Sequence, residues 1–268
     1  MLLAIDVGNT NLKFGLYETQ GVAAGTLVHS WRATTNRQQT GDELAASMDT
    51  MLRLNGVSRS AVRRVIVANV VPPLYRALSS MAQRYIGCRP EFLSAARQSI
   101  VRMKIKHPAE LGADLIAGAI GGVIKYGVPL VVVNFGTATT FAAVNAEGEY
   151  LGTAIAPGIE VSVDALVRRA AKLMSVPLVR PASAIGTDTT TALQSGIVLG
   201  FVGQVEYLIA KTSAEMGGKA TVIATGGLAD LVAAHTRRID AVDERLTLDG
   251  LYHWATADAG AVAAQKRG

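Results

Sequence analysis

Two stretches of the chain repeat one plan, and the repetition limits what the chain can become. Residues 2–16 run Leu2-Leu3-Ala4-Ile5-Asp6-Val7-Gly8-Asn9-Thr10-Asn11-Leu12-Lys13-Phe14-Gly15-Leu16. Residues 130–144 run Leu130-Val131-Val132-Val133-Asn134-Phe135-Gly136-Thr137-Ala138-Thr139-Thr140-Phe141-Ala142-Ala143-Val144. In each, an apolar run reaches a polar residue, then a glycine, then hydroxyl or amide side chains, and an apolar run resumes. This is the pattern of a strand, a tight turn and a returning strand, with the polar groups gathered at the bend. Asp6 aligns with Asn134, Gly8 with Gly136, Asn11 with Thr139 and Leu16 with Val144. A glycine-hinged hairpin met twice predicts two similar halves. They divide near residue 120, into 1–119 and 120–268. The two hairpin tips are expected to face each other across a cleft and to hold one nucleotide between them.

The intervening sequence alternates. Helices are expected over 42–54, 74–85, 112–126, 161–172, 190–216 and 228–234, strands over 64–71 and 221–225, and loops over 20–26 and 177–188. Hairpins followed by alternating helix and strand indicate mixed α/β layers. Half of the 268 residues are hydrophobic, enough to fill two cores of ordinary size. The most apolar window, 116–133, holds Lys125, Pro129 and several glycines, so it reads as a buried helix, a turn and a strand rather than a membrane crossing. Met1-Leu2-Leu3 lacks a basic lead and meets Asp6 at once, which is unlike a secretory leader. With a single cysteine, Cys88, an intrachain disulfide is excluded and a cytoplasmic location is expected. The four histidines stand far apart, with no cysteine or carboxylate at metal-ligand spacing, so no zinc site is expected. The net charge of +5 is spread over dispersed arginine pairs without interleaved aromatics. That is a solvated basic surface, with a field that attracts anionic metabolites and no mark of a nucleic-acid or membrane partner.

Four segments carry chemistry. In Asp6-Val7-Gly8-Asn9-Thr10-Asn11-Leu12-Lys13, glycine lets the backbone approach phosphate oxygens, the amides and hydroxyl supply donors, and lysine adds a point charge. Asp6 at the strand end suits a hydrated magnesium ion. Gly136-Thr137-Ala138-Thr139-Thr140 offers a second set of donors to a terminal phosphate, although threonine also favours strands for its shape alone. Ala224-Thr225-Gly226-Gly227-Leu228 takes a strand through a diglycine into a helix. Such backbone lies flat against an adenine or ribose, or is an ordinary turn. In Glu110-Leu111-Gly112-Ala113-Asp114 a carboxylate sits in the first turn of a helix, whose dipole favours its ionised form. It is either a proton acceptor for phosphoryl transfer or a residue that only stabilises its own helix.

Together these segments resemble a type III pantothenate kinase, of the sugar-kinase/actin-like ATPase superfamily. The matching residues are Asp6 through Lys13 with Gly15, Gly112-Ala113-Asp114, and Phe135 through Thr140. They continue with Pro157-Gly158-Ile159, Gly186 through Thr189, Ala192-Leu193-Gln194-Ser195-Gly196 and Thr225-Gly226-Gly227. The resemblance runs in order from residue 2 to about residue 260. It implies two duplicated ribonuclease-H-like α/β domains and ATP-dependent phosphorylation of pantothenate, the first step of coenzyme A synthesis. It also implies a homodimer with the pantothenate site near the subunit interface. It implies that Asp114 takes the proton from the pantothenate hydroxyl. By the same resemblance Asp6, Val7, Gly8, Asn9, Thr10, Asn11, Leu12, Lys13 and Thr137 hold ATP, with Mg2+ at Asp6. Gly112, Ala113, Asp114 and Leu115 line the pantothenate pocket, and Thr189 reaches pantothenate, from the neighbouring subunit in one arrangement. A monovalent cation, K+ or NH4+, is a family requirement.

Three positions depart from the family pattern. Leu115 stands where the family has arginine, Asn134 where it has aspartate, and Ile105 where a tyrosine is usual. Asn134 offers a monovalent cation no negative charge. These departures keep two alternatives open: a catalytically weak regulatory or ligand-sensing relative, and another small-molecule kinase of the superfamily.

Overall fold

The computed structural model describes residues 1–170 and 173–265, with side chains described to residue 257 and backbone alone for 258–265. In chain order the strands are β1 (Leu2–Val7), β2 (Asn11–Tyr17), β3 (Leu27–Thr34), β4 (Arg64–Asn69), β5 (Glu91–Phe92), β6 (Arg102–Met103), β7 (Leu130–Phe135), β8 (Ala138–Val144), β9 (Glu149–Pro157), β10 (Thr221–Gly226) and β11 (Ala241–Val242). The helices are α1 (Gly41–Leu54), α2 (Tyr75–Met81), α3 (Ala113–Tyr126), α4 (Ile159–Arg169), α5 (Thr189–Glu215), α6 (Ala229–Ala233) and α7 (Leu246–Gln265). The expected helix over 161–172 is thus seen as α4, and residues 171 and 172 lie outside the described residues.

Two compact units form. The first takes in Met1–Val101, Lys106–Ile124 and the chain from Leu246; the second takes in Arg102–Ile105 and Lys125–Arg245. The boundary expected near residue 120 therefore falls in the last turn of α3, and α7, expected in the second half, belongs to the first unit. The physical reason is an uncovered sheet face. Strand β1 lies in the middle of a five-stranded sheet ordered β3-β2-β1-β4-β5, antiparallel to β2 and parallel to β4. Its Leu3, Ile5 and Val7 join the core with Leu44, Met48 and Leu52 of α1 and Leu78 and Met81 of α2. Period-two alternation sends Leu2, Ala4 and Asp6 to the other face, where α7 packs on β1, β2 and β4 through buried residues that include Leu246, Leu251 and Trp254. A strand buried on both faces reads as a continuous apolar run, as residues 2–5 do.

The small residues of α3 serve this packing. A Cβ at Gly121 would come 3.2 Å from the Gly250 nitrogen and would overlap the Leu246 carbonyl oxygen of α7. A Cβ at Gly250 would overlap the Ala117 carbonyl in turn. The two helices touch backbone to backbone, which only glycine permits. Helix α1 is started by a capping box, in which Thr40 Oγ1 accepts from the Glu43 N–H and the Glu43 carboxylate accepts from the Thr40 N–H.

The second unit repeats the arrangement. Its sheet is ordered β11-β10-β7-β8-β9-β6. Strand β7 is antiparallel to β8 and parallel to β10, as β1 is to β2 and β4. The outer strands β9 and β11 repeat β3 and β5 in sense, and β6 adds one parallel strand beyond β9. Val131, Val133 and Phe135 of β7 pack with Val222 and Ala224 of β10 and with Phe201, Val202, Val205 and Ile209 of α5. That leaves Asn134 on the face opposite, as Asp6 is in the first unit.

Candidate active site

In the first unit the hairpin bend and the start of α3 come together. Asp6 is the register partner of Lys13 across β1 and β2, which puts carboxylate and ammonium on one face. Lys13 Nζ lies 3.9 Å from Asp6 Oδ2. The second oxygen, Oδ1, is buried with no hydrogen-bond partner. Asp6 is only 7% exposed, and burial pushes its carboxyl up to about 7, with Lys13 pulling it back and the charge of Asp114 adding to the rise. Between these residues the turn is closed by the Gly8 N–H donating to the Asn11 carbonyl at 3.0 Å. Asn9 and Thr10 stand exposed at its tip. Val7 and Leu12 are wholly buried, so they serve the loop as anchors and present only backbone to a ligand.

Asp114 lies in the first turn of α3, where its Oδ1 accepts from the Leu115 N–H at 2.8 Å. Burial raises its carboxyl above the ordinary carboxylate range, while the Leu115 N–H, its own N–H and Lys13 oppose the rise. The expectation that the helix start favours the ionised form named only the lesser effect, and burial wins. The consequence is chemical: a carboxylate with a raised pKa is a better proton acceptor near neutral pH. Gly112 is fixed by this side chain, because a Cβ there would lie 2.5 Å from Asp114 Oδ1 and 3.5 Å from Val70 Cγ1. Ala113 is buried under the same turn. Leu115 contributes its backbone N–H, so the hold on Asp114 does not depend on the side chain that departs from the family pattern.

The second unit builds the other bend. The Gly136 N–H donates to the Ala138 carbonyl at 3.1 Å, and the Gly158 N–H donates to the Thr137 carbonyl at 3.0 Å. A Cβ at Gly158 would lie 2.6 Å from the Thr137 carbonyl oxygen, which explains Pro157-Gly158 as the support of this bend. Gly226 has φ +98°, and a Cβ there would lie 2.8 Å from Asn134 Oδ1 and would overlap the Phe135 carbonyl. Thr225, Asn134 and Thr140 are register partners in one row across β10, β7 and β8. The hydroxyls of Thr225, Thr139 and Thr140 are buried without a partner. Thr189 stands apart on another element, exposed at the first residue of α5, after the Asp188 cap. Ile105 follows β6 in this unit and is half-buried. Among the described residues, no cluster of three or more histidines, cysteines or carboxylates is placed to hold a metal.

Sequence reasoning missed Thr35 and Arg37. Thr35 Oγ1 donates to the Gly8 carbonyl at 2.6 Å, its N–H donates to the Thr10 carbonyl at 2.9 Å, and Arg37 Nη2 donates to Asn9 Oδ1 at 3.0 Å. The available signal was the polar run Thr34-Thr35-Asn36-Arg37 after an alternating strand. Its pairing beside Asn11 was not legible without the sheet order.

The family model described as type III pantothenate kinase matches residues 2–211. A protein of Roseiflexus castenholzii named type III pantothenate kinase is 44% identical, over 94% of this chain and 96% of its own length. One of the same name from Moorella thermoacetica is 45% identical, over 94% of this chain and 97% of its own. Among solved structures, the activator of the 2-hydroxyisocaproyl-CoA dehydratase from Clostridium difficile with bound ADPNP matches with a TM-score of 0.56 at 15% identity, covering 100% of this chain and 97% of that one. The latter likeness is one of fold, the sugar-kinase/actin-like ATPase architecture.

Proposed function

The chain belongs to the type III pantothenate kinase family, and from that premise we propose that Asp114 is the base of its phosphoryl transfer and that the Asp6–Lys13 loop holds the phosphates of ATP. The reaction is ATP-dependent phosphorylation of pantothenate to 4′-phosphopantothenate, the first step of coenzyme A synthesis. The observation that carries the assignment of roles is the convergence of Asp6, Lys13 and Asp114 in one unit, close enough for the charge of each aspartate's neighbours to move its pKa.

The chemistry follows from these groups. The pantothenate 4′-hydroxyl oxygen forms a bond to the γ-phosphorus, the bond from that phosphorus to the β,γ-bridging oxygen breaks, and ADP leaves. Asp114 accepts the hydroxyl proton. Lys13 and the donors of Gly8 through Asn11 offset charge on the moving phosphoryl group, so catalysis is mostly positioning and electrostatics. Magnesium, when bound, neutralises phosphate oxygens, and the partnerless buried Oδ1 of Asp6 fits it. The Thr225, Asn134 and Thr140 row offers a monovalent cation neutral oxygens without a carboxylate, and no step is assigned to such an ion. Gly112, Ala113 and Leu115 around Asp114 are the remaining proposed pantothenate residues of the first unit, and Thr137 and Thr189 are proposed as ATP and pantothenate residues on the family likeness alone.

The test is product stoichiometry. Purified protein with ATP, magnesium and pantothenate releases ADP and 4′-phosphopantothenate in equal amounts, and it releases little ADP when pantothenate is omitted. ADP release that ignores pantothenate, or selective phosphorylation of a hexose, contradicts the assignment.

A homodimer in the cytoplasm completes the reading. Its support is the outer face of α5, where Gly196, Gly200 and Gly203 are exposed and a Cβ at each would meet nothing within 4 Å. Tyr207 on the same face is 62% exposed. Such a face admits a second helix at close range. Light scattering is expected to give a dimer for the wild type and a monomer for Gly200→Arg; a wild-type monomer at micromolar concentration rules the dimer out. Helix α5 is also the one described helix with the length and hydropathy of a membrane crossing, and it contributes Ser195, Val198, Phe201, Val202, Val205 and Ile209 to the interior of its own unit.

A further inference from the structure

We propose that Thr35 and Arg37 are positioning residues for ATP, a brace that fastens the first phosphate loop from behind. The proposal rests on the reading of Gly8 through Lys13 as that loop. A hairpin tip is ordinarily a mobile place, because exposed backbone hydrogen bonds exchange with water. Here three consecutive tip residues are each tied to one short segment between β3 and α1. The Thr35 hydroxyl holds the Gly8 carbonyl at 2.6 Å, the Thr35 N–H holds the Thr10 carbonyl at 2.9 Å, and the Arg37 guanidinium holds Asn9 Oδ1 at 3.0 Å. The segment is itself pinned by an Asn36 turn, whose side-chain and main-chain oxygens accept from the N–H groups of Gln38 and Gln39. It then runs into the capping box of α1.

The geometry gives these bonds a direction. A trans peptide points its N–H opposite to its C=O. With the Gly8 carbonyl turned toward Thr35, the Asn9 N–H of the same peptide is turned away from the brace. With Asn9 Oδ1 occupied by Arg37, the Nδ2 hydrogen trans to that oxygen points away as well. The brace thus takes up acceptors, which would repel phosphate, and leaves donors on the other side. Anion binding by a loop needs this sorting done before the ligand arrives. Arg37 makes no ion pair with a carboxylate among the described residues, so its charge also remains at the tip.

The test is a split of kinetic constants in the full-length enzyme, backed by direct titration with a fluorescent ATP analogue. Thr35→Val removes the hydroxyl donor and keeps the N–H, and about a tenfold rise in KM for ATP is expected, with kcat and KM for pantothenate within about twofold of wild type. Thr35→Ser restores the donor and the wild-type KM. Arg37→Ala raises KM for ATP by about tenfold, and Arg37→Lys recovers part of the loss. Unchanged KM for ATP and unchanged analogue affinity in both Thr35→Val and Arg37→Ala overturn the brace. The same result, with affinity for the ATP analogue still weakened by Lys13→Ala, leaves the phosphate-loop reading standing. Loss of kcat alone, with ATP affinity intact, also overturns it.

Discussion

Replacing Asp114 by asparagine is expected to lower kcat by about 10²- to 10⁴-fold, the range by which a positioned proton acceptor accelerates a reaction, while ATP affinity stays near wild type. The substitution is close to isosteric. Asparagine Oδ1 still accepts from the Leu115 N–H, so the first turn of α3 and the contact with Gly112 survive. What disappears is the ability to take a proton. The variant's thermal stability is expected to equal or exceed that of the wild type, because a carboxylate penalised by burial has been removed. Stopped-time assays of 4′-phosphopantothenate, with nucleotide binding measured separately, check both halves. The wild-type kcat is also expected to rise with pH through a limb that lies above the ordinary aspartate range, and Asp114→Asn is expected to lack that limb. An Asp114→Asn enzyme with kcat within roughly threefold of wild type removes Asp114 from the chemistry.

Asp6→Asn is expected to lose activity and gain stability, with a defined pH dependence. The loss comes from the magnesium site. Groups one bond removed from a metal cost about 10- to 100-fold when removed, so the proposed ligand itself is expected to cost more than about 100-fold in kcat/KM. The gain follows from linkage. Burial raises the Asp6 carboxyl from 3.8 to about 7 in the folded protein. Between those values the native chain holds a proton that the unfolded chain has released, so this group makes stability fall as pH rises across that window and adds no further change above it. Asparagine carries no such penalty. The stability advantage of Asp6→Asn over wild type is therefore expected to be small near pH 4 and full above pH 8, on the order of 2–4 kcal/mol at most. Urea midpoints in magnesium-free buffer measure it. A variant less stable than wild type at pH 8 contradicts the account of Asp6 as a buried carboxylate held in an unfavourable state.

Function and stability are opposed at this position, which is what a binding site assembled before its ligand requires. Asp6 lies on a strand buried on both faces, under α7 on one side and α1 and α2 on the other. The surrounding core holds the carboxylate in place against its own cost.

Parts of this were legible from the residues alone. The hairpins at 2–17 and 130–144 were, because a run of apolar residues that reaches a glycine and small polar side chains has few other solutions. The helices over 42–54 and 112–126 were legible for the same local reasons. The return of α7 to the first unit was not. Leu248, Leu251, Trp254 and Ala255 fall on one buried face at helical spacing, but such a stripe does not say which sheet the helix covers. Strand β3 was missed because it alternates half-buried and exposed residues at the sheet edge, with Val28, Ser30, Arg32 and Thr34 on its outward face. At the site, the identities of Asp6, Lys13 and Asp114 could be read, but not the direction of the Asp114 shift. The helix dipole is a local property and is visible in sequence, whereas burial depends on what the rest of the chain lays over the group. Thr35 and Arg37 escaped for a similar reason: their partners Gly8, Thr10 and Asn9 lie some 25 residues away in the chain and become neighbours only when β3 pairs with β2.

The position of the acceptor hydroxyl tests the central claim most directly. In a crystal of the enzyme with pantothenate and a non-hydrolysable ATP analogue, the 4′-hydroxyl oxygen is predicted to lie within hydrogen-bond reach of the Asp114 carboxylate, about 2.6–3.2 Å, with the analogue's phosphates against the Gly8–Lys13 backbone. A hydroxyl bound elsewhere, or phosphates that leave Asp6 and Lys13 untouched, contradicts it.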